Sequence, residues 1–260
     1  MYFGAVFYHR RELSSTPATV VALARIMEGW ANVPLSFQGM LKGRDRFAPL
    51  KRLSPRAQEK LLADLGEGAY SDFVAYLGPR DAPSGSIAFD LIPRTTVPEP
   101  AYPGTLYLTL LLATPHQAAS ASALAEEIWN LLEPACGIAV WGPTFTDVYS
   151  ELSVTPISDW RAPPNPRKEA RLLALQRSRH LIGEYLRGAA WGTYLGKHFV
   201  DKLGGIEAIA KAAPVTAVRT LTAGGAYLQL AAAPLSLGSA DYEAASSLLE
   251  QYLSPVLVPL

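Results

Sequence analysis

A chain of 260 residues, 49% hydrophobic and 18% charged with 23 basic against 23 acidic side chains, has the composition of a packed globular protein and excludes a generally disordered one. It suffices for one large domain or for two halves that share a core. No apolar run approaches the ~18 residues that span a bilayer, and the apolar start, Met1 to Phe7, is too short for a signal sequence and leads into His9-Arg10-Arg11-Glu12, so a cytoplasmic protein is expected.

Residues 2–8 alternate, with Phe3, Ala5 and Phe7 on one side and Tyr2, Val6 and Tyr8 on the other, which predicts a strand buried on both faces. Thr16 as N-cap with Pro17 behind it opens a helix whose stripe is Val20, Leu23, Ala24, Met27 and Trp30. Residues 32–53 read as a basic, glycine-containing connection. Ser54-Pro55 repeats the cap-then-proline signal, and Ala57, Leu61, Leu62 and Leu65 mark a helix that Gly66 stops. Strands are expected over 73–77, 87–92 and 106–112, with a proline-rich loop before the last. Leu124, Ile128, Leu131 and Leu132 predict a helix closed by Pro134, followed by a strand over 137–141 and a further strand within 145–155.

The prolines at 163, 164 and 166 cannot continue a helix or an inner strand, so a boundary is expected between Asp159 and Pro166. It divides an N-terminal α+β half, 1–160, with an acidic central segment, from a helix-helix-hairpin-helix half, 161–260. The second half opens on a long helix from Asn165 through Leu172, Leu175, Leu181, Ile182, Tyr185 and Leu186 to Gly188. The stretch Trp191 to Pro234 then reads as helix end, short helix, strand, tight hairpin and strand. The halves echo one another: Tyr107 to Pro115, a helix and Leu132-Glu133-Pro134 match Tyr227 to Pro234, a helix and Leu253-Ser254-Pro255. The predicted architecture is α+β, an antiparallel sheet with helices packed on one face and two similar halves sharing a core.

A search for reaction centres finds no G-x-S-x-G elbow, no H-E-x-x-H, no Walker loop and no dinucleotide fingerprint. The four histidines, His9, His116, His180 and His198, have no metal-ligand spacing, and Cys136 is a lone cysteine that reads as a small buried hydrophobe. Glu126 and Glu127 are neighbours on a helix and point about 100° apart, which makes a poor carboxylate pair. No catalytic residue, metal or cofactor is therefore assigned.

Charge is distributed unevenly along the chain. Residues 1–60 carry 10 basic and 4 acidic side chains, 61–160 carry 2 and 12, and 161–260 carry 11 and 7. The middle segment either presents an anionic surface or pairs with the basic flanks. Lys42, Arg44, Arg46, Lys51, Arg52 and Arg56 cluster in the first third without the interleaved aromatics of a base-stacking platform, so direct nucleic-acid binding is not expected.

The run Gly188-Ala189-Ala190-Trp191-Gly192-Thr193-Tyr194-Leu195-Gly196, the Leu203-Gly204-Gly205 turn, Pro214 and the hairpin Gly224-Gly225 to Leu228-Gln229 resemble the type VI secretion immunity family. These are the immunity proteins of VRR-NUC and related restriction-endonuclease-like toxins, and the chain is similar to TsiT-like members. Ser86 to Asp90 and Leu131 to Gly137 also resemble that family's central segments. Gly238-Ser239 departs from the Gly-Asp pair of many relatives. Trp191 and Leu195 read as pins of a helix end on the sheet, Gly204 and Gly205 as a left-handed turn, and Gly224 and Gly225 as a hairpin signal.

The resemblance implies a cytosolic protein without catalytic activity that binds a cognate secreted toxin, a nuclease, and neutralises it by occluding its active site or blocking its active assembly. No membrane partner is implied. A nuclease presents cations to phosphate, so Asp64, Glu67, Asp72, Asp81, Asp90 and Glu99 are the expected toxin-binding residues, with Asp90 open to a core-facing alternative. Other classes remain: an enzyme with a cleft between the halves, or an adaptor of the secretion machinery.

Overall fold

The computed structural model describes residues 1–10, 16–32, 35–41, 47–50, 56, 59–60, 63–64, 70–77, 84–90, 103–112, 117–153 and 179–259. Its elements are β1 (Tyr2–His9), α1 (Pro17–Ala31), β2 (Leu35–Leu41), β3 (Phe47–Leu50), β4 (Tyr70–Leu77), β5 (Gly85–Asp90), β6 (Gly104–Leu111), α2 (Gln117–Leu132) and β7 (Cys136–Gly142). They continue with α3 (Phe145–Leu152), β8 (Gly192–Leu195), α4 (Lys197–Lys202), α5 (Ile206–Ala212), β9 (Ala217–Thr220), β10 (Ala226–Gln229) and α6 (Ala240–Leu253). The strands form a ten-stranded sheet in the order β3-β2-β4-β5-β6-β1-β7-β8-β10-β9. Every neighbouring pair is antiparallel. The α+β class with an antiparallel sheet is thus borne out.

β1 lies inside the sheet between β6 and β7, and its two alternating sets of side chains go to opposite faces. Phe3, Ala5 and Phe7 stand on a face shared with Leu106, Leu108, Leu110, Ile87, Phe73, Ala75 and Leu77, all fully buried. Helices α1 and α2 cover this face: Phe7 meets Trp129 of α2 edge to face at 6.0 Å, and Trp30 Nε1 of α1 donates to the Ser120 carbonyl at 3.1 Å. The opposite face carries a helix as well, since α3 packs on Gly4 and Gly142 through Val148. The helices therefore occupy both faces, where one covered face was expected.

A row of large groups crosses the second half of the sheet on the α2 side. Phe7 of β1, Gly137 of β7, Tyr194 of β8, Tyr227 of β10 and Arg219 of β9 stand side by side in register. A Cβ at Gly137 would overlap the Phe7 ring, so the glycine lets that ring lie flat across its strand. Tyr194 stacks on Trp129 at 5.4 Å and packs against Tyr227 at 4.8 Å, and the Arg219 guanidinium lies 4.5 Å over the Tyr227 ring while pairing with Glu126 of α2.

Three local expectations need correction. The connection over 32–53 contains the hairpin β2–β3, whose Gln38 and Gly39 break the apolar alternation that signals a strand. Residues 145–152 are helical: Phe145, Val148, Tyr149 and Leu152 follow helical spacing, and Thr144 and Asp147 form a capping box. The helix expected to run through Leu186 does not. Residues 179–181 make a single 3-10 turn, Gly183 bends at φ +99°, and Gly192–Leu195 is a strand, because Tyr194 fills the aromatic row. The part of that helix before 179 lies outside the described residues.

Gly204 and Gly205, at φ +89° and +93°, turn α4 into α5 in a conformation that side-chain-bearing residues avoid. The β9–β10 connection passes through Ala223 and Gly224 at φ +53° and +75°. Gly225 has an ordinary φ, and what requires glycine there is the Leu195 carbonyl, 2.8 Å from where a Cβ would be.

Candidate partner-binding face

On the face opposite α1 and α2, α3 covers β1 and β7, and the part over β4, β5 and β6 is left half-open. On β4, β5 and β6 its positions are Asp72, Val74 and Tyr76, then Ser86, Ala88 and Asp90, then Tyr107, Thr109 and Leu111. Thr109 is buried and Leu111 exposed, and the rest are half-buried. The alternate positions on the same strands are buried wherever described. A strand with one dry face and one half-wet face is the pattern of an antiparallel sheet that leaves a surface for other use.

Asp72 and Asp90 are direct cross-strand partners on this face. Like charges in that position repel, and Asp90 is anchored by Thr105, whose backbone N–H and hydroxyl donate to one carboxylate oxygen at 2.9 and 2.8 Å. Asp90 therefore stands off the core, with Asp72 beside it. Asp64 sits half-buried on a separate helical turn. Glu67, Asp81 and Glu99 lie outside the described residues, as do Lys42, Arg44, Arg46, Lys51 and Arg52 of the basic cluster.

Next to the carboxylates runs an aromatic ridge that the sequence reading missed. Phe145 and Tyr149 of α3, one helical turn apart, are 46% and 39% exposed and stack at 5.7 Å. Tyr2 meets Phe145 edge to face at 6.3 Å, and Tyr107 meets Tyr149 at 6.2 Å. Leu111, opposite Tyr2 in register, extends the ridge along β6. The signal was present in the sequence, since an eight-residue helix with apolar pairs at both 145/149 and 148/152 is broader than one buried stripe requires.

Two features seat α3. Gly4 provides room for Val148 and Leu152: a Cβ there would overlap Val148 and come within 2.7 Å of Leu152 Cδ1. Arg187, buried at 6% exposure, closes the other end. Its Nη1 donates to the Tyr8 hydroxyl at 2.9 Å and to the Leu152 carbonyl, and its Nη2 donates to the Glu151 carbonyl. A cation on the last carbonyls of a helix satisfies groups that the helix leaves unpaired. Burial opposes the guanidinium charge, and Tyr8 and Glu151 more than offset that.

A cleft of about 590 Å³ opens elsewhere, between residues of the two halves. Arg10, Glu133, Lys197, His198, Asp201 and Thr222 line it. Lys197 pairs with Asp201 at 2.6 Å, and the Thr222 hydroxyl donates to Asn130 Oδ1 at 2.9 Å. His198 Nε2 lies 2.8 Å from the Gly183 carbonyl, a contact made by the nitrogen that carries the proton, and burial lowers the imidazole below its usual range. No nucleophile–base hydrogen bond exists among the described lining residues. Burial also pushes the Cys136 thiol up to about 12, which keeps it a protonated core group. Among the described residues no cluster of three or more His, Cys, Asp or Glu is placed to hold a metal, and no helix is long and apolar enough to cross a membrane.

The geometry defines a protein whose special surface is an open sheet face with carboxylates and ordered aromatic rings. Its fold has been seen before: the Pseudomonas aeruginosa T6SS protein PA0821 matches with a TM-score of 0.65 at 15% identity, over 98% of this chain and 73% of that one. Residues 172–259 match the TsiV family model, described as type VI immunity for VRR-NUC, which bears out the resemblance carried by the Trp191–Pro234 stretch. None of the curated proteins matches the chain in sequence.

Proposed function

We propose that this protein is a cytosolic immunity protein that binds a cognate type VI secretion toxin, a nuclease, and neutralises it without catalysis. The observation that carries the reading is the family match over residues 172–259, the segment that supplies β8, β9 and β10 with Tyr194 and Tyr227 of the buried aromatic row. The open face supports it. A nuclease active site is cationic where it grips phosphate, and a carboxylate-bearing surface both complements that charge and speeds encounter.

Two modes of neutralisation follow from this reading, occlusion of the nuclease site and blockage of an active toxin assembly. Co-expression with a cognate VRR-NUC toxin should restore growth, and the two chains should copurify. Charge reversal at Asp72, alone or with Glu67 and Asp81, should slow association about tenfold at low salt and flatten its salt dependence. Unchanged association and an unchanged salt slope would remove the carboxylates from the interface. Competition with a DNA oligonucleotide for a catalytically dead toxin separates the modes, since only occlusion makes the two ligands mutually exclusive.

A further inference from the structure

We infer that the ridge formed by Phe145, Tyr149, Tyr2 and Tyr107 is the anchor of the toxin contact and that it receives arginine side chains from the toxin. This inference rests on the immunity reading. Three observations lead to it, the first being that the core does not explain the ridge. Val148 and Leu152 already bury α3 against Gly4 and Gly142, yet the same two turns of helix carry Phe145 and Tyr149 into solvent. Single exposed apolar residues are ordinary; here the exposed Phe145 and Tyr149 stack on each other beside half-buried Tyr2 and Tyr107 and exposed Leu111, and contiguous patches of that kind mark interaction surfaces.

The second observation is order. Each ring of the ridge touches another at 5.7 to 6.3 Å, and α3 beneath them is held by its capping box and by Arg187. Rings that are already fixed lose little freedom on binding, which is the property of residues that dominate interface energies.

The third is charge. Strands β4, β5 and β6 and helix α3 carry four carboxylates, Asp72, Asp90, Asp147 and Glu151, and neither lysine nor arginine. The Asp72–Asp90 row lies two residues along the strands from the row of Val74, Ala88 and Tyr107, about 7 Å at the usual strand rise. Arg187 lies buried against Glu151 at one end of α3, and Asp72, Asp90 and Asp147 leave the surface beside the rings acidic, which disfavours nucleic acids and anionic membranes and attracts cations. Guanidinium fits both parts, because it stacks flat on rings and pairs bidentately with carboxylates, whereas ammonium does neither as well. The protein uses this chemistry within itself, where Arg219 lies over Tyr227 and pairs with Glu126. A nuclease that grips phosphate has such arginines to offer.

The test measures Kd between the full chain and a catalytically dead cognate VRR-NUC toxin. Phe145→Ala with Tyr149→Ala should weaken binding about thirtyfold or more, with the melting transition kept, while Lys211→Gln on α5 leaves Kd unchanged. If the alanine pair does not fold, Phe145→Leu with Tyr149→Leu keeps apolar bulk, removes the π faces and should still weaken binding severalfold. Arginine hydrochloride should compete better than lysine hydrochloride at equal concentration, and that difference should vanish in the ring variants. Wild-type affinity in the folded ring variants would overturn the inference and leave the immunity reading standing. Equal competition by the two salts, or a wild-type dimer that the ring variants dissociate, would also overturn it. A wild-type chain that fails to bind this toxin would remove the immunity reading and the inference together.

Discussion

Arg187 joins three parts of the molecule beneath α3. It comes from the family-matched segment, lies buried beside β1, and ends on the carbonyls of α3. Arg187→Met would remove the donor to two carbonyls and to the Tyr8 hydroxyl at a largely buried site, for an expected loss of about 3–5 kcal/mol, read as a shift of the urea midpoint. Arg187→Lys keeps the charge but lacks the planar fork, so it should recover only part of that loss. His198 gives a second residue-scale expectation. Its pKa in the fold is lowered by burial, so the unfolded chain takes up a proton first as pH falls. The stabilising contribution is therefore present above the unfolded value near 6.5 and is lost as pH falls through that value toward the folded one. The melting temperature of His198→Gln should vary less between pH 7 and pH 5 than that of the native chain. Neither role was legible in the sequence, because each depends on partners brought close only by the sheet. Arg187 meets Tyr8 across 179 positions.

At the scale of elements, α3 shows what sequence can and cannot carry. The cap at Thr144 and Asp147 and the 145/148/149/152 spacing were both available, yet an apolar run of this length also reads as a strand. Tertiary placement decides it: an isolated two-turn helix is unstable in water, and here Gly4, Gly142 and Arg187 supply what nucleation costs. Removing the cap should then loosen the ridge and not only the helix end. Thr144→Ala is expected to cost about 1 kcal/mol in stability, with faster amide exchange confined to α3. The strands near β1 were legible because their alternation is strong and their ends are marked by glycine or proline. The β2–β3 hairpin was not, because pairing with β4 compensates for residues that signal loop. Asp72 and Asp90 were legible as charges; that they are cross-strand partners followed only from the register of β4 on β5.

Across the whole molecule, the two halves anticipated at 1–160 and 161–260 meet along one line of the sheet, where β7 pairs with β8. The contacts at that line are among the most buried in the structure. Tyr194 enters between Phe7 and Trp129 at 5.0 and 5.4 Å, Trp191 meets Trp141 edge to face at 5.4 Å, and Arg187 reaches Tyr8. Each large side chain dried at this seam contributes about 1.5–3 kcal/mol. Five rings together therefore rival the roughly 5–15 kcal/mol that holds a typical domain together. A 1–160 fragment would expose the edge of β7 with Phe7, Trp129 and Trp141 beside it, a surface that invites aggregation. A 161–260 fragment would keep only β8, β10 and β9, whose aromatic row would lack its cover from α2. We expect neither fragment to give a cooperative thermal transition alone, and the two co-expressed to form a soluble 1:1 complex that melts in a single transition. A fragment that folds by itself would show that the halves are independent domains joined at an interface. The shared seam predicts instead that the family-matched segment folds only on β7, with Phe7 of β1 and Trp129 of α2 in place beside it.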